Sequence, residues 1–345
     1  MVLAYVVSFS FLAPVTVIDT KTHSIIANIP VQQNGIDKIA ITPDGKLAYV
    51  TSSITTFQSN VTVIDTKTHS VIASVLAGIQ QSDIAITPDG KLVYITNSTS
   101  GTVSVIDTKT HSVIATITVG VFPSNVKITP DGKLAYVTHN TNPGSISVLD
   151  VKTHSVIATI DLGVNTLEND ITLTPDGKLA YATNNSVPGT VTAIDIKTHS
   201  VIASINVGNG PFSAAITPDG KSLYVSNIFS NNVSVIDTKT HSLIATVSVD
   251  GFPRNITISP DGKIAYVITQ SNGTGVIDLK TNSLIATIQT GSDQQFVAFT
   301  PNGKFAYIGG DNTVSVIDVK THTVVASVIV NPPATEIRSI AFTPN

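Results

Sequence analysis

The chain has 345 residues, 42% of them hydrophobic and only 12% charged, with a formal net charge of −4 and neither cysteine nor tryptophan. A polypeptide of this length can bury a large core, while the missing cysteines exclude disulfide scaffolds, thiolate zinc sites and cysteine nucleophiles. The mildly acidic balance argues against a protein that grips nucleic acid through its net field.

The first segment, MVLAYVVSFSFLAP (1–14), has an apolar run as long as the core of a signal peptide, but no basic flank and no A-x-A cleavage site. The same letters return as KLAYV at 46–50 and 133–137, so the opening reads as a β-strand and the chain as given carries no secretion signal. No apolar run is long enough to span a bilayer. The rest of the chain is a repeat. The tripeptide TPD, or a close variant, places a proline at Pro43, Pro88, Pro130, Pro175, Pro218, Pro260, Pro301 and Pro344, at spacings of 45, 42, 45, 43, 42, 41 and 43 residues. Between them run the same four segments, as in NVKIT (125–129), KLAYVT (133–138), SISVLD (145–150) and VIATID (156–161). Each is short, β-branched and bounded by turn formers, which predicts a strand. No stretch carries apolar residues at helical spacing. Four strands per unit predict an all-β fold, an eight-bladed β-propeller with four antiparallel strands per blade, forming one domain. The chain opens on a LAYV strand and stops at Thr343-Pro344-Asn345. Residues 336–345 are therefore expected to supply the innermost strand of the blade whose outer three strands come from 3–30. That closure removes an open sheet edge.

The turns carry their own chemistry. In Thr129-Pro130-Asp131-Gly132 the proline presets φ, and the glycine takes the left-handed position that joins two strands. In Asp107-Thr108-Lys109-Thr110-His111-Ser112 the carboxylate can accept a backbone N–H two residues on. Both turns fall on one face of the disc, and the variable loops fall on the other. Of 17 lysines only Lys38 and Lys127 lie outside these turns, and the off-pattern residues total nine acids against four bases, so the loop-rich face is expected to be mildly acidic.

Subtracting the repeat leaves the candidate functional residues. Seven histidines (His23, His69, His111, His154, His199, His241 and His322) occupy one turn position, where Asn282 stands in the remaining copy. His and Asn both tolerate positive φ, and turns at the diverging outer edges of blades are too far apart to share a metal ion, so no metal site is expected. His139 differs: it replaces the asparagine found at Asn97, and is a candidate for acid–base work or a ligand contact, set against a solvated loop histidine. Eight of the eleven phenylalanines are expected outside the strands, in loops of the variable face: Phe9, Phe11, Phe57, Phe122, Phe212, Phe229, Phe252 and Phe296. Aromatics gathered on one face mark a partner surface. Phe122 and Phe252, each just before a proline, can instead plug gaps between blades. The innermost strand supplies a polar, varied ring at the channel mouth, including Asp83 and Asp170 as inward carboxylates and Phe212 and Phe296 as aromatics. Arg254 and Arg338, the only arginines, can clamp a carboxylate or phosphate there.

The unit KLAYVTN…TVSVIDTKTHSVIATI…VG…P…ITPDG resembles the YVTN repeat of archaeal and bacterial surface-layer-type propellers, with WD-repeat and lactonase-type propellers as more distant relatives. The resemblance covers the whole chain. Propellers of that family commonly have seven blades; eight complete units are counted here. The resemblance implies a non-enzymatic binding or assembly module at a cell or particle surface, presenting its loop face to a protein or glycan, with no cofactor and no membrane insertion. The alternative it implies is a lactonase-like hydrolase or lyase at the channel mouth. No G-x-S-x-G, H-E-x-x-H or Walker-type loop supports catalysis. Redox-cofactor propellers need axial His or Cys ligands, and His139 is the only histidine off the turn pattern. Single-stranded nucleic acid binding through stacked phenylalanines is a third, disfavoured reading.

Overall fold

The computed structural model describes residues 1–9, 13–31, 35–53, 58–163, 168–271, 273–291, 293–330 and 336–345. Phe11 and Phe57, two of the expected loop aromatics, lie outside them. The strands form eight four-stranded antiparallel sheets, each a meander except the last, which joins Ile337–Phe342 to Leu3–Ser8, Val15–Asp19 and Ser24–Ile29. We number the blades by their inner strands in chain order: Ile36–Ile41, Gln81–Ile86, Pro123–Ile128, Glu168–Leu173, Pro211–Ile216, Pro253–Ile258, Phe296–Phe299 and Ile337–Phe342. Ring closure is the pairing of Ala4 with Phe342 and Val6 with Ile340, reinforced by Leu3 N–H donating to Thr343 Oγ1 at 2.8 Å.

Burial explains why the second and third strands of each unit lack alternation. Both of their faces pack on neighbouring blades, so LAYV and VSVI segments are buried continuously, as in Leu92–Asn97 and Thr102–Asp107 of blade 2. The outer strand, Ser112–Thr118 in that blade, alternates because one face meets solvent. All eight outer strands carry a bulge at the same place. In blade 2, Val105 faces Ala115 and Ile106 faces Val113, leaving Ile114 unmatched. A bulge on every rim strand twists the free edge away from further pairing.

The two turn types behave as their residues dictate. In blade 3, Thr129 Oγ1 donates to Asp131 Oδ1 at 2.7 Å, Lys133 N–H donates to the same oxygen at 3.1 Å, and Gly132 takes φ 72°. These bonds hold the turn carboxyls below their usual range, Asp44 at about 2. In blade 2, Lys109 and Thr110 N–H groups donate to Asp107 Oδ1, and His111 takes φ 51°.

The turn histidines do more than tolerate positive φ. Each faces the tyrosine of the preceding blade: Tyr94 Oη lies 3.1 Å from His154 Nδ1, Tyr136 3.0 Å from His199, and Tyr307 3.0 Å from His23. With Asn282 replacing histidine opposite Tyr224, all eight seams are pinned this way, including the closing one through Tyr5 and His69. The tyrosines are fully buried, and burial pushes their hydroxyls up, Tyr224 to about 12.

Candidate functional site

The loop-rich face is organised by the two residues that follow LAYV. Seven of the eight inner strands shift register near their start, as between Gln81 and Asp83, which frees a backbone N–H. The threonine of the unit takes it: Asp83 N–H donates to Thr96 Oγ1 at 2.9 Å, Asn125 to Thr138 at 3.1 Å, and Asp170 to Thr183 at 3.0 Å. The asparagine of the unit reaches the third strand instead. Asn97 Nδ2 donates to Thr102 and Ser104 hydroxyls, and Asn184 to Thr190 and Thr192. His139 does this job in blade 3. Its Nε2 lies 2.9 Å from Ser147 Oγ and its Nδ1 3.1 Å from the Val121 carbonyl, and it is buried. Burial lowers its pKa. The expectation of a solvated loop histidine, or one facing a ligand, is corrected: this ring is part of the blade interior.

The channel has two unlike halves. Across blades 1 to 4 stand Asp37, Lys38, Asp83, Lys127 and Asp170. Asp83 Oδ2 accepts Val126 N–H of the next blade at 3.0 Å and pairs with Lys127 Nζ at 3.3 Å. Asp170 Oδ2 accepts Ala214 N–H at 3.1 Å and Ser213 Oγ–H at 3.2 Å, again in the next blade. These carboxylates therefore tie inner strands together. Burial raises the Asp170 and Asp37 carboxyls, opposed at Asp170 by Lys127 and at Asp37 by Lys38 and Arg338. The Asp83 charge raises Lys127. Lys127 was visible only as an off-pattern lysine; its signal is that the same inner-strand position holds Ala40, Ala85, Thr172, Ala215, Thr257, Ala298 and Ala341 elsewhere.

Blades 5 to 8 carry Phe212, Arg254, Phe296 and Arg338 in their inner strands, which corrects the expectation that Phe212 and Phe296 lie in loops: both fall where the inner strand begins to pair. Arg254 Nη1 donates to Gln295 Oε1 of blade 7 at 3.4 Å. Arg338 pairs with Glu336 at 2.8 Å, with its guanidinium 5.0 Å from the centre of the Phe9 ring. The Nε atoms of both arginines are buried without a partner, so each guanidinium keeps one edge unspoken for. Phe296 is half-buried against the blade 7–blade 8 core, and Phe212 is half-buried. Phe122 and Phe252 sit on connecting loops at positive φ, exposed rather than plugging a gap. With Val121, Val187 (71% exposed) and Phe229 (63%), they make five exposed apolar side chains on the loops of blades 3 to 6. Phe229 is among the aromatics the sequence singles out, whereas Val187 carries no signal of its own and joins them only through the ring. Among the described residues, no cluster of three or more His, Cys, Asp or Glu is arranged to hold a metal ion.

Comparison with known proteins places this geometry. Among solved structures, the hydrazine synthase of Kuenenia stuttgartiensis is similar at 26% identity and a TM-score of 0.64, over 84% of this chain and 96% of that one. The dihydro-heme d1 dehydrogenase NirN superposes with a TM-score of 0.79 over 98% of this chain and 74% of that one, at 20% identity, a likeness of fold. No curated protein matches the chain. A sequence model of the cytochrome D1 heme domain matches residues 5–127 and 130–258. Since that match spans well over half of the propeller, the chain belongs to the cytochrome D1 heme domain family.

Proposed function

We propose that this propeller is a non-enzymatic binding module that presents its loop-rich face and channel mouth to a protein or glycan partner. The observation that carries the reading is a contrast: apolar side chains stand exposed on that face, while every histidine and tyrosine is engaged in a seam or blade interior. The family implies a haem d1. Haem iron is held by His, Cys, Met or Tyr. The chain has no cysteine, its one methionine is the exposed Met1, all eight tyrosines and seven histidines lie in the seams, and His139 has a partner on each ring nitrogen. These residues do not fit an iron-bound tetrapyrrole, and no step is routed through one.

The likeness of each unit to the YVTN repeat of surface-layer-type propellers supports the same reading. So does the mouth itself, where two guanidiniums and two phenyl rings offer the residue types that dominate binding energy at interfaces. A lactonase-like hydrolase would draw on Asp83 and Asp170, but each already uses an oxygen to hold a neighbouring strand, which favours the binding role. The test has two arms. Added haemin is expected to keep its unligated absorption spectrum. Partners captured by cross-linking or on a glycan array are expected to be lost from a Phe122→Ala, Phe229→Ala, Phe252→Ala variant, or from a Phe212→Ala, Arg254→Ala variant, with unfolding curves retained. A ligated haem spectrum, or capture indifferent to both variants, overturns the reading.

A further inference from the structure

Between adjacent blades, on the side of the loop-rich face, a groove runs from the end of one outer strand across the sheet of the next blade. Four seams carry one: about 300 Å³ between blades 1 and 2, 640 Å³ between 3 and 4, 250 Å³ between 5 and 6, and 310 Å³ between 6 and 7. Their linings correspond position by position. The outer strand of the second blade supplies an aliphatic residue and, three places on, a hydroxyl, from Val113 and Thr116 in the first groove to Val324 and Ser327 in the last. In three grooves the third strand adds a second hydroxyl directly opposite: Ser104, Thr192 or Ser315. Among the described residues no lysine or arginine lines any of the four, whereas Asp161, Asp250 and Asp311 line three.

The groove of blades 3 and 4 is the widest, and its polar groups are the least used. Register sets Asn184 opposite Thr190 and Thr192 opposite Ser204, so these four share the face of blade 4 that lines the groove. Asn184 Nδ2 donates to both threonine hydroxyls; their protons, the Ser204 hydroxyl and the buried Asn184 Oδ1 have no partner among the described residues. Asn97 and Asn227 have the same unpartnered oxygen, but there a glycine of the preceding blade lies on the amide, and a Cβ on Gly78 or Gly208 would collide with it. A Cβ on Gly163 would meet nothing within 4 Å, and the cavity opens beside it along the polar row.

We infer that these grooves are binding sites for neutral pyranose sugars, with the groove of blades 3 and 4 the principal one. The inference rests on the binding-module reading above and commits it to a glycan. Hydroxyls with protons to give, beside the Asp161 carboxylate, complement a polyol whose own hydroxyls both donate and accept. Leu162, Val187, Pro188 and Val201 offer apolar walls to the C–H face of a sugar ring. The missing cations tell against a phosphate, a sulfate or a uronic acid, and the absence of an aromatic side chain from the lining tells against a nucleobase. The volume falls within the roughly 300–1,000 Å³ that small-molecule pockets take. Repetition around the disc gives avidity to sites that are weak one by one.

The methyl glycosides of glucose, mannose, galactose and N-acetylglucosamine are the probes, titrated into the full chain and followed by amide chemical shifts. At least one is expected to saturate with a Kd of about 1–10 mM, as fits so small a ligand. The largest shifts are expected at 161–163, 184–192 and 201–204. Glucuronate, a similar ring carrying a carboxylate, is expected to bind at least about tenfold more weakly. Two variants separate the groove from folding. Thr192→Val keeps the side-chain shape and leaves Asn184 its bond to Thr190, while Ser204→Leu fills the groove from an exposed rim position. Each should retain the wild-type unfolding curve and bind at least about tenfold more weakly. Saturation by none of the four glycosides, glucuronate binding as tightly, shifts confined to the channel mouth, or folded variants that bind undiminished each overturns the inference. Glycan capture that survives both groove variants but not the Phe122, Phe229, Phe252 or Phe212, Arg254 variants removes the grooves and leaves the binding-module reading standing. The reverse pattern removes the mouth and keeps the grooves.

Discussion

The two faces of the disc treat the same repeat in opposite ways. On the turn-rich face the polar residues of each unit recur, and each has a partner: aspartate with its own turn amides, tyrosine with the next blade's histidine. On the loop-rich face the blades vary. Position for position, Lys38, Asp83, Asn125, Asp170, Ser213, Asn255, Phe296 and Ser339 share a place in the inner strand and draw on five residue types. Repeated residues hold every seam alike, whereas varied ones act locally: Asp83 and Asp170 each tie one pair of inner strands, and Phe122 and Phe229 stand exposed. On the turn-rich face Asn282 is the one departure from the turn histidine, and Tyr224 still bonds to it.

The largest break in this pattern is to remove the clasp. Deleting 337–345 strips the inner strand from blade 8 and uncovers Tyr5, Val7 and Ile36; we expect Tm to fall by more than about 15 °C in a circular-dichroism melt. An unchanged melt would show that the ring does not depend on its closure. Next comes a single pin. Tyr136→Ala is expected to cost about 3–5 kcal/mol of unfolding free energy through the cavity it leaves. Tyr136→Phe should cost about 1 kcal/mol, and His199→Asn little, since Asn282 already serves Tyr224 in that role.

Acid gives a smaller and more selective perturbation. Burial lowers His23, His139 and His322 below the usual 6.5. The unfolded chain therefore takes up protons first, so stability is full above about pH 7 and declines as pH falls through the unfolded value. The turn aspartates, lowered mainly by hydrogen bonds, add a second loss below about pH 4. Asp37 and Asp170 act in the opposite sense, because burial raises them and protonation relieves the fold. His139→Asn, which restores the residue of Asn97 and Asn184, should flatten the pH 7 to pH 5 slope measured by Tm. An unaltered slope would mean that His139 does not titrate against the fold. The smallest expected effect is on the loop face: Phe122→Ala and Phe229→Ala should stay within about 0.5 kcal/mol of wild-type stability in urea melts. A larger loss would make these rings packing residues and remove them from the partner surface.

Much of the fold was readable because its signals are local. LAYV, TPDG and DTKTHS each state a strand or turn within a few residues, and eight copies remove the ambiguity of one. The pin was not readable in that way. Tyr5 and His69 are 64 residues apart, and turn preference alone accounted for the histidine. The channel carboxylates were placed inward from the repeat, but their attachment to Val126 and Ala214 depends on the neighbouring blade. His139 lies next to a loop in sequence, which suggests solvent, but its equivalence to Asn97 carries the information that it faces the third strand.

Strand, turn and blade number were set by the chain itself, since they follow from side-chain periodicity and backbone preferences acting over neighbouring residues. Which side chains are used up between blades, which remain free at the mouth, and where a seam falls open were decided only when the ring closed. Those properties belong to pairs of residues that distant parts of the chain bring to within a hydrogen bond of each other.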